Sequence, residues 1–298
     1  MTIIAFIGLG HMGLPMATNL IKAGHRTKGY DVSSQAVDAF IKQGGFVGKD
    51  IPSTINEADI IITMLPEGKN VKAAYEGPQG IFNHIKPDTL VAECSTIDME
   101  TARHIHELAN NKGISLIDAP VSGGVSAAEA ATLTFMVGGQ EKDFQALRPY
   151  LETMGSKFIY CGEAGLGQAA KICNNLILGI SMIGVCEAFN LAERLGLEGK
   201  TFFEVTSQSS AQCWSITTYC PIPGPVPHSP ANHNYAAGFT AAMMRKDLKL
   251  AAQAAQMTSS ATPLGVEALS LYTLFCNHGG QFTDFSGILK FLQGRDPQ

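Results

Sequence analysis

Through roughly the first 163 residues, short apolar runs bounded by glycine or proline alternate with stretches whose apolar positions recur every three or four residues. The run "IIAFIGLG" is apolar without a break and ends in glycine, the pattern of a strand buried on both faces. "LPMATNLIKAG" follows, with Met16, Leu20 and Ile21 on one side and Gly24 as a stop, the pattern of a helix. The same reading places strands in "TKGYD" (27–31), "ADIIITMLP" (58–66), "DTLVAECST" (88–96), "ISLIDAP" (114–120), "LTFMVGG" (133–139) and "KFIYCG" (157–162). Helices fall in "SQAVDAFIKQG" (34–44, capped by Ser33 or Ser34), "METARHIHELANNKG" (99–113) and "EKDFQALRPYLETMG" (141–155). Alternation of this kind predicts a doubly wound, mostly parallel α/β sheet.

After residue 163 the strand pattern stops. One long helix is predicted over 167–195, with further helical patterns near 200–208, 240–257 and 264–277. The chain therefore divides into an α/β domain over 1–163 and an all-helical domain over 164–298. "CPIPGPVPHSP" at 220–230 is predicted to be an irregular loop, because its prolines lack the N–H that a ladder or helix needs. The most membrane-like stretch, "LILGISMIGV" at 176–185, falls short of the roughly 20 residues a bilayer requires and reads as a buried helix.

Composition narrows the class. A hydrophobic fraction of 45% in 298 residues supports a core without staples. The net charge of −5 and the lack of a basic tract argue against a nucleic-acid partner. The odd count of seven cysteines, none in a CxxC pair, reads as reduced thiols in a cytosol-like compartment and not as a metal site or disulfide frame. "MTIIAFIGLG" carries no targeting signal, which predicts a cytoplasmic protein and is compatible with removal of an organelle presequence.

Chemistry enters with "GLGHMG", which sets Gly8, Gly10 and Gly13 in G-x-G-x-x-G spacing between a strand and a helix, with His11 and Met12 at the variable positions. Gly8 suits a tight turn, Gly10 lets backbone approach a pyrophosphate, and Gly13 permits close helix–strand packing. The arrangement is that of a Rossmann-type fold, with phosphates at the helix N-terminus. Asp31 ends the second strand, placed to accept hydrogen bonds from adenosine ribose hydroxyls and to repel a 2′-phosphate. No arginine follows at Val32, Ser33 or Ser34, so the expected cofactor is NAD. Leu65 and Pro66 of "TMLP", and Ser95 and Thr96 of "CST", stand at further strand ends and are expected to line the nicotinamide half. Each is equally an ordinary strand-to-loop turn. "DAPVSGG" offers the Ser122 hydroxyl and the backbone N–H groups of Gly123 and Gly124 as a carboxylate cradle; it also reads as a flexible Gly-Gly loop.

Lys171 lies four residues after Gly167 and four before Asn175, on one helical face. A nicotinamide moves hydride, so the protein must move the accompanying proton. A lysine serves if burial lowers its pKa toward neutrality. Asn175 would then hold the substrate hydroxyl, and Gly167 would leave room for it. On spacing alone, a snorkelling lysine with an incidental asparagine is the plainer reading. Lys246 and Asp247 in "MMRKDLKL" can reach a cofactor or a carboxylate, or form a solvated helix face. Trp214 and Tyr219 supply rings for a pocket wall or for the core.

The stretches "FIGLGHMGLPMATNL", "DAPVSGG", "GLGQAAKICNN" and "KDL", in this order and spacing, resemble the β-hydroxyacid dehydrogenase family over essentially the whole chain. "ISMIGVCEAFNLAERLGL", "CWSITTYCPIPG", "NYAAGF" and "DFS" are similar to its 3-hydroxyisobutyrate-oxidising branch. The proline-rich 220–230 segment is the main departure. The resemblance implies a Rossmann domain, an all-helical domain and a cleft between them. It implies Lys171 as catalytic acid/base, with Asn175, Ser122, Gly123 and Gly124 on the substrate, Lys246 at the cofactor end and Asp247 supporting it. It further implies a homodimer or homotetramer, no membrane, and NAD-dependent oxidation of a small 3-hydroxy acid such as 3-hydroxyisobutyrate to its semialdehyde. The competing expectations are a tartronate or succinate semialdehyde reductase, a serine dehydrogenase and, from another class, an NAD-sensing binding protein without turnover.

Overall fold

The computed structural model describes residues 2–295. Nine strands form one sheet: β1 (Ile3–Ile7), β2 (Arg26–Tyr30), β3 (Phe46–Val47), β4 (Ile60–Thr63), β5 (Leu90–Glu93), β6 (Ser115–Asp118), β7 (Val121–Ser122), β8 (Leu133–Gly139) and β9 (Gly155–Gly162). Their order is β3-β2-β1-β4-β5-β6-β8-β7, with β9 on β8. The run from β3 to β6 is parallel. β8 runs antiparallel to β6 and β7, and parallel to β9. This is the expected doubly wound α/β Rossmann-type sheet, with the strand order reversing between β1 and β4.

The unbroken apolar run of β1 has a direct cause. Ile4 and Phe6 pack into one layer with Met16, Leu20 and Phe135, while Ala5 and Ile7 pack into the opposite layer with Val71, Tyr75 and Ile105. Successive strand residues point to opposite faces, so a strand covered on both sides is apolar at consecutive positions. Each large side chain buried this way contributes roughly 1.5–3 kcal/mol. Ser33 is the cap of helix Ser34–Lys42, its hydroxyl accepting from Ala36 N. The elements of this sheet unit absent from the sequence reading are short: β3, β7 and helices Ile51–Ile55, Gly68–Glu76, Ile81–His84 and Gly124–Glu129. Most span too few residues to show a period.

Packing divides the chain into residues 1–171 and 172–298. The boundary expected near 163 lies in the turn before helix Leu166–Arg194, whose first turns stay with the first unit because Gly167 and Gln168 are seated on the ends of β6 and β8. The second unit is helical, built from the rest of that helix with Gly199–Ser207, Trp214–Thr217, Ala241–Met257, Pro263–Asn277 and Ile288–Leu292. Its core gathers Met182, Cys186, Phe189, Met244, Tyr272 and Phe285. The 220–230 segment is irregular up to the 3-10 turn Pro230–His233. Helix Leu166–Arg194 has 29 residues and is long and apolar enough to cross a membrane, but 44% of its most apolar window is buried within the protein. The seven cysteines are free; four are buried and Cys173 is exposed.

Candidate active site

The parallel register aligns one edge of the sheet. Tyr30, Ile7, Thr63, Glu93 and Asp118 form a level row across β2, β1, β4, β5 and β6. The residues that follow each strand therefore emerge along a single edge: Asp31, the Gly8 loop, Leu65 and Pro66, Ser95 and Thr96, and the loop leading to Ser122. Ligands of open α/β sheets bind at this edge.

The glycine loop divides into two closed positions and one open one. Gly8 has φ +99°, and a Cβ there would lie 2.2 Å from the Met64 carbonyl oxygen. A Cβ on Gly13 would lie 1.9 Å from the Gly8 oxygen. On Gly10 it would meet nothing within 4 Å. The chain thus packs shut around Gly8 and Gly13 and leaves the face of Gly10 clear, as a bound pyrophosphate requires. Helix Gly13–Lys22 starts at Met12 without a side-chain cap among the described residues, which leaves its dipole to a ligand. His11 is exposed. Asp31 accepts from Leu9 N (2.7 Å) and Ser33 N (2.8 Å), one on each oxygen. A carboxylate has about four lone-pair sites, so both oxygens retain capacity for ribose hydroxyls.

Leu65 N donates to Ser95 Oγ at 2.7 Å, joining the β4 and β5 loops. Pro66 is exposed and Thr96 half-buried. Ser122 pairs with Thr134 at the end of β7. Gly123 and Gly124 have φ +134° and +70°, conformations that favour glycine.

Lys171 is 8% exposed. The gap expected beside it is filled. A Cβ on Gly167 would lie 2.4 Å from Met136 O and 2.7 Å from Asp118 Oδ2. The glycine lets the helix approach the strand ends and does not open space for a substrate. Asp118, 1% exposed, accepts from Gly165 N (2.8 Å) and Gln168 N (2.9 Å) at the start of this helix, and His106 Nε2 lies 2.9 Å from Oδ1. Glu93, its neighbour in register, accepts from Ser95 N at 2.9 Å; burial pushes its carboxyl up to about 8. Gln168 completes the cluster, donating from Nε2 to Ser95 O at 2.7 Å and accepting at Oε1 from Ile97 N at 3.1 Å. Sequence reading missed these groups. The available signal was an acid in each of two apolar strands, "TLVAECS" and "SLIDAP".

Asn175, one turn after Lys171 on the same helix, belongs to the second unit. It is 2% exposed, donates from Nδ2 to Asp247 Oδ2 at 2.5 Å and accepts at Oδ1 from Asn174 Nδ2 at 2.9 Å. Asp247 Oδ1 lies 3.0 Å from Lys246 Nζ. Asp247 therefore links two expected site residues and does more than support the lysine. Trp214 and Tyr219 stack with centroids 4.7 Å apart. Tyr219 donates to Asp284 Oδ2 at 2.9 Å, and its hydroxyl pKa is driven far up by burial and by that acid. Asp284 also accepts from Gly238 N, Phe239 N, Ser286 N and Ser286 Oγ. Tyr219 is thus anchored in the core while Trp214 remains exposed. Asp284 was visible in sequence only as part of "DFS".

Comparison with known proteins agrees with this geometry. Residues 3–162 match the family model described as the NAD binding domain of 6-phosphogluconate dehydrogenase, and 165–292 that described as NAD-binding of NADP-dependent 3-hydroxyisobutyrate dehydrogenase. A probable 3-hydroxyisobutyrate dehydrogenase of Mycobacterium tuberculosis is 45% identical over 99% of both chains. An NAD-dependent L-serine dehydrogenase of Pseudomonas aeruginosa is 45% identical over 97% of both. A solved structure of the Mycobacterium tuberculosis 3-hydroxyisobutyrate dehydrogenase with L-serine superposes with a TM-score of 0.93 over 98% of this chain and 99% of that one. With its glycine loop shaped for a dinucleotide and both halves matched along their length, the chain belongs to the β-hydroxyacid dehydrogenase family of NAD-binding oxidoreductases.

Proposed function

We propose that the chain oxidises 3-hydroxyisobutyrate, or a related 3-hydroxy acid, to its semialdehyde with Lys171 as proton acceptor. Bound NAD supplies the hydride acceptor. Gly8, Gly10, His11, Met12 and Gly13 surround its pyrophosphate, Asp31 takes its ribose, Leu65, Pro66 and Thr96 flank its nicotinamide, and Lys246 is a further cofactor-binding residue. Ser122, Gly123 and Gly124 hold the substrate carboxylate. Lys171 takes the hydroxyl proton, Asn175 orients that hydroxyl, and Asp247 holds the Asn175 amide. Trp214 and Tyr219 wall the substrate. The observation that carries the reading is a lysine only 8% exposed, on a helix pinned to the ligand-binding edge of the sheet. Replacing Lys171 by Ala is expected to leave NAD affinity intact and lower kcat about 10²–10⁴-fold, the range for general acid–base groups. Retention of most of kcat would refute it.

L-Serine oxidation is the second reading, favoured by the relative named as an L-serine dehydrogenase and the related structure with L-serine. The two substrates differ by a methyl against an ammonium on the carbon beside the carboxylate. Comparing kcat/KM for both acids, with NAD and NADP side by side, decides between them. We infer a homodimer or homotetramer, supported by exposed apolar side chains of the helical unit such as Leu195 and Phe282.

A further inference from the structure

We propose that Gln168 is a positioning residue that sets the place of Lys171 against the nicotinamide edge of the sheet. The inference rests on the role given to Lys171 above. Gln168 is fully buried, three residues before Lys171 on the same face of helix Leu166–Arg194. Its side chain clasps the strand end after β5 at two points: Nε2 donates to Ser95 O at 2.7 Å, and Oε1 accepts from Ile97 N at 3.1 Å. Its backbone N donates to Asp118 Oδ2 at 2.9 Å, at the end of β6. The first turn of the helix is therefore tied to two adjacent strand ends. The β5 loop so held includes Thr96 and is joined through Ser95 Oγ to Leu65 N of the β4 loop. One amide thus fixes the helix that carries the amine to the loops proposed to flank the nicotinamide.

The residue type follows from the geometry. An uncharged fork with one donor and one acceptor is needed, and a primary amide has both. Glu93 Oε2 lies 3.5 Å from Nε2, and Asp118 accepts from the backbone N of the same residue, so the surroundings of Gln168 are acidic. A carboxyl replacing the amide would serve only while protonated, because its O–H could then donate to Ser95 O.

The test uses the whole enzyme with Gln168→Met, Gln168→Glu and Lys171→Ala, measuring kcat, KM, NAD affinity and thermal stability. Gln168→Met keeps the volume and removes the clasp. It should lower kcat about 10–100-fold, as expected for a misplacement of about 1 Å, with KM and NAD affinity within about threefold of the parent. For Gln168→Glu, kcat relative to the parent at the same pH should recover as pH falls. Retention of kcat within about twofold by Gln168→Met, a parallel loss of NAD affinity, or a pH-independent Gln168→Glu ratio would overturn the proposal. If one Gln168 variant fails to fold, the other decides. An active Lys171→Ala enzyme would instead defeat the underlying reading, whatever Gln168 does.

Discussion

In the first unit, two groups proposed to face the dinucleotide are placed by backbone: Gly8 at φ +99° beneath the Met64 carbonyl, and Asp31 held by two N–H groups. In the second, side chains place one another: Asp247 holds Asn175, and Asp284 holds Tyr219 against Trp214. A parallel sheet levels its strand ends whatever the side chains are, so a loop there needs only the right glycines. Helices offer no such edge, and a polar group among them must be fixed by another polar group. The two units should therefore respond to different kinds of change.

The largest effect is expected from adding one methyl group in the first unit. Gly8→Ala places a Cβ against the Met64 oxygen in a strained backbone region, and NAD binding should weaken about 100-fold or more, roughly 3 kcal/mol, by calorimetric titration. Near-parent affinity would break the backbone half of the comparison. Next is Asp284→Ala, which strands the donors that converge on that carboxylate; stability should fall by about 2–4 kcal/mol in urea titrations, with NAD affinity unchanged. A loss of NAD affinity at constant stability would show that this cluster serves the cofactor.

The most gradual effect distinguishes two buried acids. Burial raises the pKa of both Asp284 and Glu93, and hydrogen bonds to Ser286, Phe239 and Tyr219 counteract the rise at Asp284. Glu93 is pushed from 4.5 to about 8, so the folded chain keeps a proton there that the unfolded chain releases. The resulting stabilisation is full below about pH 4.5 and is lost as pH rises toward about 8, by at most about 1.4 kcal/mol per pH unit. Glu93→Gln removes that slope, so its stability relative to the parent should improve steadily from pH 5 to pH 8. A constant difference across that range would mean Glu93 is already ionised in the fold.

The same contrast explains what was legible beforehand. Strands such as β1 and β4 read directly, because burial on both faces leaves apolar runs, Ile3 to Ile7 in one and Ile60 to Ile62 in the other. The glycine loop and Asp31 read from spacing, because backbone geometry imposes it. Gly167 was misread: its neighbour is Asp118, 49 residues earlier, and only the fold brings them together. The clasp by Gln168 and the convergence on Asp284 were hidden for the same reason. Each joins segments far apart in the chain, and neither leaves a periodic trace.

Helix Leu166–Arg194 runs unbroken past both Lys171 and Asn175. Each residue of an α-helix turns the next by about 100°, so a single insertion between these two would swing the amide a quarter-turn or more away from the amine. With the roles proposed for these two groups, the length of the rod between them cannot drift. On that proposal, a change in substrate preference falls to loops that can change size without disturbing that phase.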